Sequence, residues 1–511
     1  MQKDLDKLRQ ELALLHQIVN DMAAEILALK AENKLLKAKI YGKSSEKLTK
    51  NTSKAEIAAP EPQTDEEQLR AEEAESAVEA DDNAAATPKN RAKRLPLPPH
   101  LPREDVILNP DPKCPSCGGE AFRKIADDIS EMLEYKPSSF KVIRHVRPRC
   151  ACINCEQIVQ AFAPENPIAK GNAGPGLLAH IMTQKYCNHL PLYRQSQMYE
   201  REELYISRST MAGWAGQVSR LLSPLVDELK NSIFASSHIH ADDTTIRVLA
   251  PGSGKTKTGR LWVYVRDGRA QDSKIPPAVC YFYSPDRQGI RPLEHLKDFT
   301  GTLHADAYAG YDKLFEKDEN GVAKIDEAAC WAHTRRKFHE VTVAIPNAGI
   351  AAEMLEKIGR LYEIEDQVRG KPPEVRLAHR QKHSSKIVDE IFIWLKKCLA
   401  ILPKKSETTK AINYALNLEV ALRRYLSDGK IEIDNNIAER AMRIIALGRK
   451  NYMFAGSDAG GETAANFYSL VESAKLNGVN PQKYLTKILT IIQNHNSQKL
   501  AELLPWNLTL D

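Results

Sequence analysis

Two strand-like segments of this chain carry the same tripeptide, His240-Ala-Asp242 and His304-Ala-Asp306. Successive side chains on a strand point to opposite faces, so His238, His240 and Asp242 project together, as do His304 and Asp306. Each aspartate then falls near the end of its strand. A third carboxylate, Glu439, stands in the stretch Glu432–Ser457. There Asp434 or Asn435 reads as a helix N-cap, and Ile437, Ala441, Ile444 and Ile445 recur at helical spacing. Three converging carboxylates are hard oxygen ligands of the kind that suits Mg²⁺ or Mn²⁺. Two such ions about 3.5–4 Å apart activate a water or a 3′-hydroxyl and stabilise the leaving oxygen in phosphodiester transfer. For Glu439 alone an ordinary role competes, as one half of an i, i+4 pair with Arg443 on a surface helix, worth about 0.3–0.5 kcal/mol.

A second metal chemistry uses the same tripeptides. His-x-His on a strand also presents imidazoles to zinc or iron in hydrolases of the amidohydrolase kind. That chemistry requires further ligands at successive strand ends of a barrel, whereas the sequence downstream turns helical. Phosphate chemistry has its own requirement, namely cations. The run Cys330-Trp-Ala-His333-Thr-Arg335-Arg336-Lys337 follows a strand and opens a helix, and Arg440, Arg443, Arg449 and Lys450 surround Glu439. Both groups are matched to phosphate oxygens. His333 can orient a phosphate or be structural, and Cys330 reads as a core residue.

A different chemistry is written in the cysteines. Cys114-Pro-Ser-Cys117 and Cys152-Ile-Asn-Cys155 bracket a segment rich in β-formers, Phe140–Arg149. Two such pairs match a tetrahedral four-thiolate ribbon that closes the shell of one structural Zn²⁺. Cys150 is a spare thiol beside the second pair. The basic strand Lys141–Arg149 either faces phosphates or belongs to a purely structural ribbon.

The elements that must position these groups follow from periodicity. Residues 1–48 hold a heptad seam from Leu5 to Ile40 with Asn33 at an a position, the pattern of a parallel coiled-coil dimer. Residues 49–97 form an acidic linker. Between 51 and 88, eleven Asp or Glu stand against Lys54 and Arg70, a balance of −9 that leaves +14 on the rest of a chain whose net charge is +5. Such a basic remainder points to a polyanionic partner. The ribbon takes 98–165. Residues 166–235 are helical, with Ser207 or Ser209 as a cap, compatible with a DNA-binding helix-turn-helix or with plain packing. Strands are expected at His238–Leu249, Gly259–Asp267, Ala278–Tyr283, Thr302–Ala305 and Ala328–Trp331. They make 236–340 the first part of a core, 341–430 a helical insertion, 431–475 the return to the core with Glu439, and 476–511 a helical tail. The class is multidomain α+β. A charged N-terminus without a signal-peptide core, and no apolar run of membrane-spanning length, lead us to expect a cytoplasmic protein with reduced thiols.

Taken together these segments carry a resemblance that runs over nearly the whole chain. YGKSSEK (41–47), CPSCGGE…CINC, HLPLYRQ, SRSTMAGW, HADAYAGY, CWAHTRRKF and DNNIAERAMR…LGRKNYMFAGSD are similar to transposases of the insertion-sequence-66 family of DDE enzymes. The resemblance implies a ribonuclease H-like catalytic domain and places its carboxylates at Asp242, Asp306 and Glu439. The family's usual Glu after the first aspartate is Asp243 here. Strand alternation turns Asp243 away from His240, so Asp242 is the ligand expected. The implied activity is Mg²⁺-dependent DNA strand cleavage and strand transfer, with element ends and target DNA as partners and small accessory proteins of the same element as further ones. A nuclease that cuts without joining, and a catalytically silent DNA-binding regulator of the same fold, are the alternatives.

Overall fold

The computed structural model describes residues 97–510 apart from 100, 137–138, 170, 251, 253, 272 and 346–348. The expected coiled coil and acidic linker lie outside the described residues. The described residues divide into two compact units, one taking in 97–267, 275–300 and from 437 onward, the other 268–274 and 301–436.

The first unit opens with the ribbon: β1 (Arg103–Ile107), β2 (Phe122–Lys136), β3 (Ser139–Cys152) and β4 (Ile158–Val159). β2 and β3 form an antiparallel hairpin, with β1 parallel to the other edge of β3. Of the two roles open to the basic strand, the structure favours the structural one. Lys141 meets Glu104 at 2.9 Å, Arg144 meets Asp105 at 3.4 Å, and Arg147 pairs with Asp128. Each surface pair contributes little to stability, yet together they cancel much of the field a phosphate would meet.

Helices α1 (Pro175–Tyr186), α2 (Leu192–Glu200) and α3 (Arg208–Phe234) follow. Ser207 caps α3, its hydroxyl accepting the Thr210 N–H at 3.1 Å. Met211, Trp214, Val218, Leu222, Leu225, Leu229 and Ile233 bury one whole face of α3. That stripe packs α3 against the core of its unit.

β5 (His238–Ala250), β6 (Lys255–Arg266) and β7 (Ala278–Ser284) form an antiparallel meander. After it, α4 (Ile290–His295) lays His295 on Phe282, ring centroids 4.3 Å apart, with Nδ1 3.1 Å from the Tyr264 hydroxyl. Burial, helped by Lys230 and Arg291, pushes the His295 imidazole down to about 3. The folded state therefore refuses a proton that the unfolded chain takes near its ordinary 6.5. Stability from this residue is intact above that value and falls as pH drops from about 6.5 toward 3, by up to about 1.4 kcal/mol per pH unit. Thermal melts of H295Q across that window should show a shallower acid limb than wild type.

The second unit holds the parallel pair β8 (Gly301–Ala305) and β9 (Ile325–Ala329), then α5 (Trp331–Ala344). The last strand thus ends before Trp331, which opens the helix. The surplus chain between them and Glu439 is helical as expected: α6 (Gly349–Asp366), α7 (Pro373–His383), α8 (Ser385–Ile401), α9 (Glu407–Asn417) and α10 (Glu419–Arg423). Trp331, Phe338, Met354, Ile358, Leu395 and Ile412 lie in one core. The expected single helix around Glu439 is two short ones, α11 (Asn436–Ala441) and α12 (Arg443–Gly448), broken at Met442.

The chain closes in the first unit with α13 (Asp458–Leu476) and α14 (Pro481–Ile491). α13 is lined with small residues and packs on β7. A side chain at Gly461 would stand 2.4 Å from the Tyr283 ring, so only glycine admits this approach. Ser469 and Ser473 then accept the Tyr281 and Val279 N–H groups at 2.8 and 3.0 Å, satisfying donors of β7 that no neighbouring strand takes. Among the described residues, no helix is long and apolar enough to cross a membrane.

Candidate active site

Asp242 lies within β5 and not near its end as expected, because the strand runs on to Ala250; it is opposite Val263 of β6, which is opposite Tyr281 of β7. Residues directly opposite share a face, so Asp242, Val263 and Tyr281 form one row. Asp242 is half-buried and its Oδ1 accepts the Asp243 N–H at 2.7 Å. Asp243 belongs to the other face, where its 1 % exposed side chain is gripped by Arg260 at 2.8 Å and Arg287 at 2.7 Å. Those two guanidiniums consume Asp243.

Glu439 sits half-buried in the first turn of α11. Two residues on, the Ala441 carbonyl accepts the Tyr281 hydroxyl at 2.7 Å. The helix carrying Glu439 is therefore tied to the face that carries Asp242. Further on, Arg449 donates to the carbonyl and hydroxyl of Thr245 at 2.8 and 2.9 Å. The strand-like link Leu249 N–H to Ala455 carbonyl, with Ala455 N–H to Arg247 carbonyl, completes the seam at 2.9 and 2.8 Å. Arg449, expected at the DNA, is thus engaged with β5, whereas Arg440, Arg443 and Lys450 are exposed. Burial raises the Tyr281 phenol well above its usual range, so it stays a neutral donor. Y281F leaves the Ala441 carbonyl without this donor, and the expected cost is about 1–2 kcal/mol, read as a lower melting temperature.

Asp306 follows directly on β8 in the second unit, half-buried. Ala307 takes φ +61°, a left-handed backbone that side-chain-bearing residues seldom adopt. The bend lets Tyr308 N–H donate to Asp306 Oδ1 at 3.2 Å. Gly310 makes room for the Tyr308 ring, since a side chain there would lie 2.0 Å from it. Tyr414 of α9 reaches the Asp306 carbonyl at 3.5 Å, and the Lys337 ammonium lies 5.6 Å from the Tyr414 ring. On α5, His333 and Arg335 are half-buried while Arg336 and Lys337 are exposed. Cys330 is core, as expected, its Sγ accepting the Asn435 N–H at 3.2 Å. Sequence reasoning missed Tyr281, Arg260, Arg287 and Tyr414. Their roles depend on strand register and long-range packing that no local pattern encodes.

In the ribbon, the sulfurs of Cys114, Cys117, Cys152 and Cys155 all lie within 4.8 Å of one another. Tetrahedral zinc with Zn–S near 2.3 Å needs sulfurs about 3.8 Å apart, so the four thiols fit that ion. The two knuckles share one backbone device: Gly118 N–H returns to Cys114 O and Glu156 N–H to Cys152 O, both at 2.8 Å, with φ +72° and +58°. Cys150 lies on β3 opposite Lys124 and Val159, outside the cluster. Backbone N–H groups of Cys117 and Ser116 draw the Cys114 thiol down to about 7.

The family model described as "Transposase IS66 family" matches residues 170–463, more than half the chain. The chain belongs to the IS66 transposase family. Three further IS66 models match: the zinc-finger binding domain at 111–156, the C-terminal element at 469–506, and "Transposase C of IS166 homeodomain" at 28–106. The zinc-finger match contains all four clustered cysteines, and IS66 membership implies a DDE-type transposase that uses a divalent metal. Uncharacterized protein y4hP of Sinorhizobium fredii is 36% identical over 498 residues, covering 94% of this chain and 88% of the relative. Uncharacterized protein y4qI of the same organism is 38% identical over 444 residues, covering 85% and 82%.

Proposed function

We propose that this protein cuts DNA at the ends of an insertion sequence and joins the 3′-ends to target DNA, using Asp242, Asp306 and Glu439 as its metal-holding carboxylates. The observation that carries this is the Tyr281–Ala441 bond, which ties the Glu439 helix to the sheet face bearing Asp242. Support also comes from Asp243, whose side chain on the opposite face of the strand is neutralised by Arg260 and Arg287. The antiparallel β5–β6–β7 followed by the parallel β8–β9 pair supports a ribonuclease H-like core.

Magnesium or manganese bound at these carboxylates would activate the attacking water or 3′-hydroxyl and stabilise the leaving oxygen. The chain's own residues do the rest. Asp242 and Glu439 are held half-buried on supported elements, and the Ala307 bend fixes one Asp306 oxygen against a backbone N–H. Exposed Arg336, Lys337, Arg440, Arg443 and Lys450 contact phosphates, with affinity falling as salt rises, while His333 and Arg335 lie beside them on α5. One structural Zn²⁺ is held by Cys114, Cys117, Cys152 and Cys155. The heptads of residues 5–40 assemble at least a dimer, and accessory proteins of the element are further partners.

Strand transfer is the test. Zinc-loaded full-length protein is incubated with uncleaved element-end duplex, supercoiled target and Mg²⁺. Joined products are expected. Cut ends without joined product would assign a nuclease, and neither product would assign a DNA-binding regulator.

A further inference from the structure

The chain leading into Glu439 is fixed by charges buried in the helical unit. Glu365 on α6 and Arg376 and Arg380 on α7 have side chains no more than 1 % exposed. Glu365 accepts from Arg376 and from Arg380 Nε at 2.8 Å each. Both guanidiniums also reach beyond it. Arg376 pairs with Glu432 at 2.8 Å, and Arg380 donates to the carbonyls of Tyr425 and Ile431 at 2.9 Å and of Asp428 at 3.2 Å. From the other side, Trp331 N–H donates to the Ile433 carbonyl at 3.1 Å and Asn435 N–H to Cys330 Sγ at 3.2 Å. Asp434 Oδ1 then takes the N–H of Asn436, the first residue of α11, at 3.1 Å. Each of the six residues Ile431–Asn436 is therefore tied down by at least one bond.

Burying four charges is not an efficient route to stability, because desolvation offsets most of the attraction. These directional bonds do fix which groups of residues 431–436 meet which side chains. Burial opposes ionisation of Glu365, yet its two arginines overcome that and hold it below the usual carboxylate range. We propose that Glu365 is a positioning residue for Glu439: through Arg376 and Arg380 it sets the register of residues 431–436, and so the placement of the carboxylate three residues further on. The proposal rests on Glu439 being a metal-holding carboxylate.

The test uses zinc-loaded full-length protein and the variants E439Q, E365Q and E432Q. Three quantities are measured: Tb³⁺ affinity by sensitised luminescence, the Mg²⁺ concentration that half-saturates cleavage, and affinity for element-end DNA. E439Q should weaken Tb³⁺ binding at least tenfold. E365Q and E432Q should weaken it three- to tenfold and raise the Mg²⁺ requirement in parallel, with DNA affinity unchanged. A folded E365Q with a lowered melting temperature but wild-type Tb³⁺ affinity and Mg²⁺ dependence would overturn the proposal, since Glu365 would then serve stability alone. If E365Q does not fold, E432Q decides by the same criteria, because it keeps the Glu365–Arg380 pair. Wild-type Tb³⁺ affinity in E439Q would overturn the assignment of Glu439 as a ligand, and the positioning role with it.

Discussion

D306N is expected to lower single-turnover cleavage of element-end DNA by ~10³-fold or more, roughly 4 kcal/mol of transition-state stabilisation. The substitution is chosen because asparagine keeps an oxygen for the Tyr308 N–H and does not disturb the Ala307 bend. Melting temperature and DNA affinity should therefore stay close to wild type. The adjacent aspartates of β5 sharpen the contrast. D242N should behave like D306N, inactive and stable. D243N should do the reverse, because it leaves Arg260 and Arg287 facing a neutral amide in a site where Asp243 is 1 % exposed. Breaking a fully buried pair costs about 3–5 kcal/mol, and the partial exposure of Arg260 and Arg287 lowers that figure here. D243N should thus melt markedly lower, while its cleavage rate, measured well below that temperature, stays within about tenfold of wild type. Equal losses of activity in D242N and D243N without a difference in melting would contradict the division of labour between the two faces of the strand.

The second large effect concerns the ribbon. C152S removes one of four thiols whose sulfurs all lie within 4.8 Å of one another. Structural zinc of this kind contributes apparent binding energies of about 10–16 kcal/mol to the fold it closes. The variant is expected to carry less than one zinc per chain and to lose protease resistance across 111–156. C150S should retain one zinc per chain, because Cys150 is held on β3 away from the cluster. Metal content by colorimetric chelation, alongside limited proteolysis, checks both. Because thiolates are the ligands, binding competes with protons and should weaken as pH falls.

Much of this fold is legible in the sequence where the signal is local. Alternation located β5 to β8 to within a few residues, the CxxC spacing located the cysteine cluster, and the pair Ser207 or Ser209 bracketed the start of α3, which Ser207 caps. What was not legible depends on partners distant along the chain. Arg449 and Lys450 look alike as cations, yet Arg449 is engaged with Thr245, 204 positions away. The sequence leaves the basic strand of the ribbon open between phosphate contact and a structural role, and only the fold sets Glu104, Asp105 and Asp128 beside it. The break at Met442 has no Gly or Pro to announce it. Tyr281 could be recognised only once the meander's register aligned it with Asp242.

The central claim is that Asp242, Asp306 and Glu439 hold one pair of metal ions. Electron paramagnetic resonance of Mn²⁺ on zinc-loaded protein bound to element-end DNA tests it most directly, since ions about 3.5–4 Å apart couple their spins. Two coupled Mn²⁺ per chain are predicted for wild type, with coupling lost in each of D242N, D306N and E439Q. A coupled pair that survives any one of these substitutions, or uncoupled ions in the wild-type complex, would contradict the account.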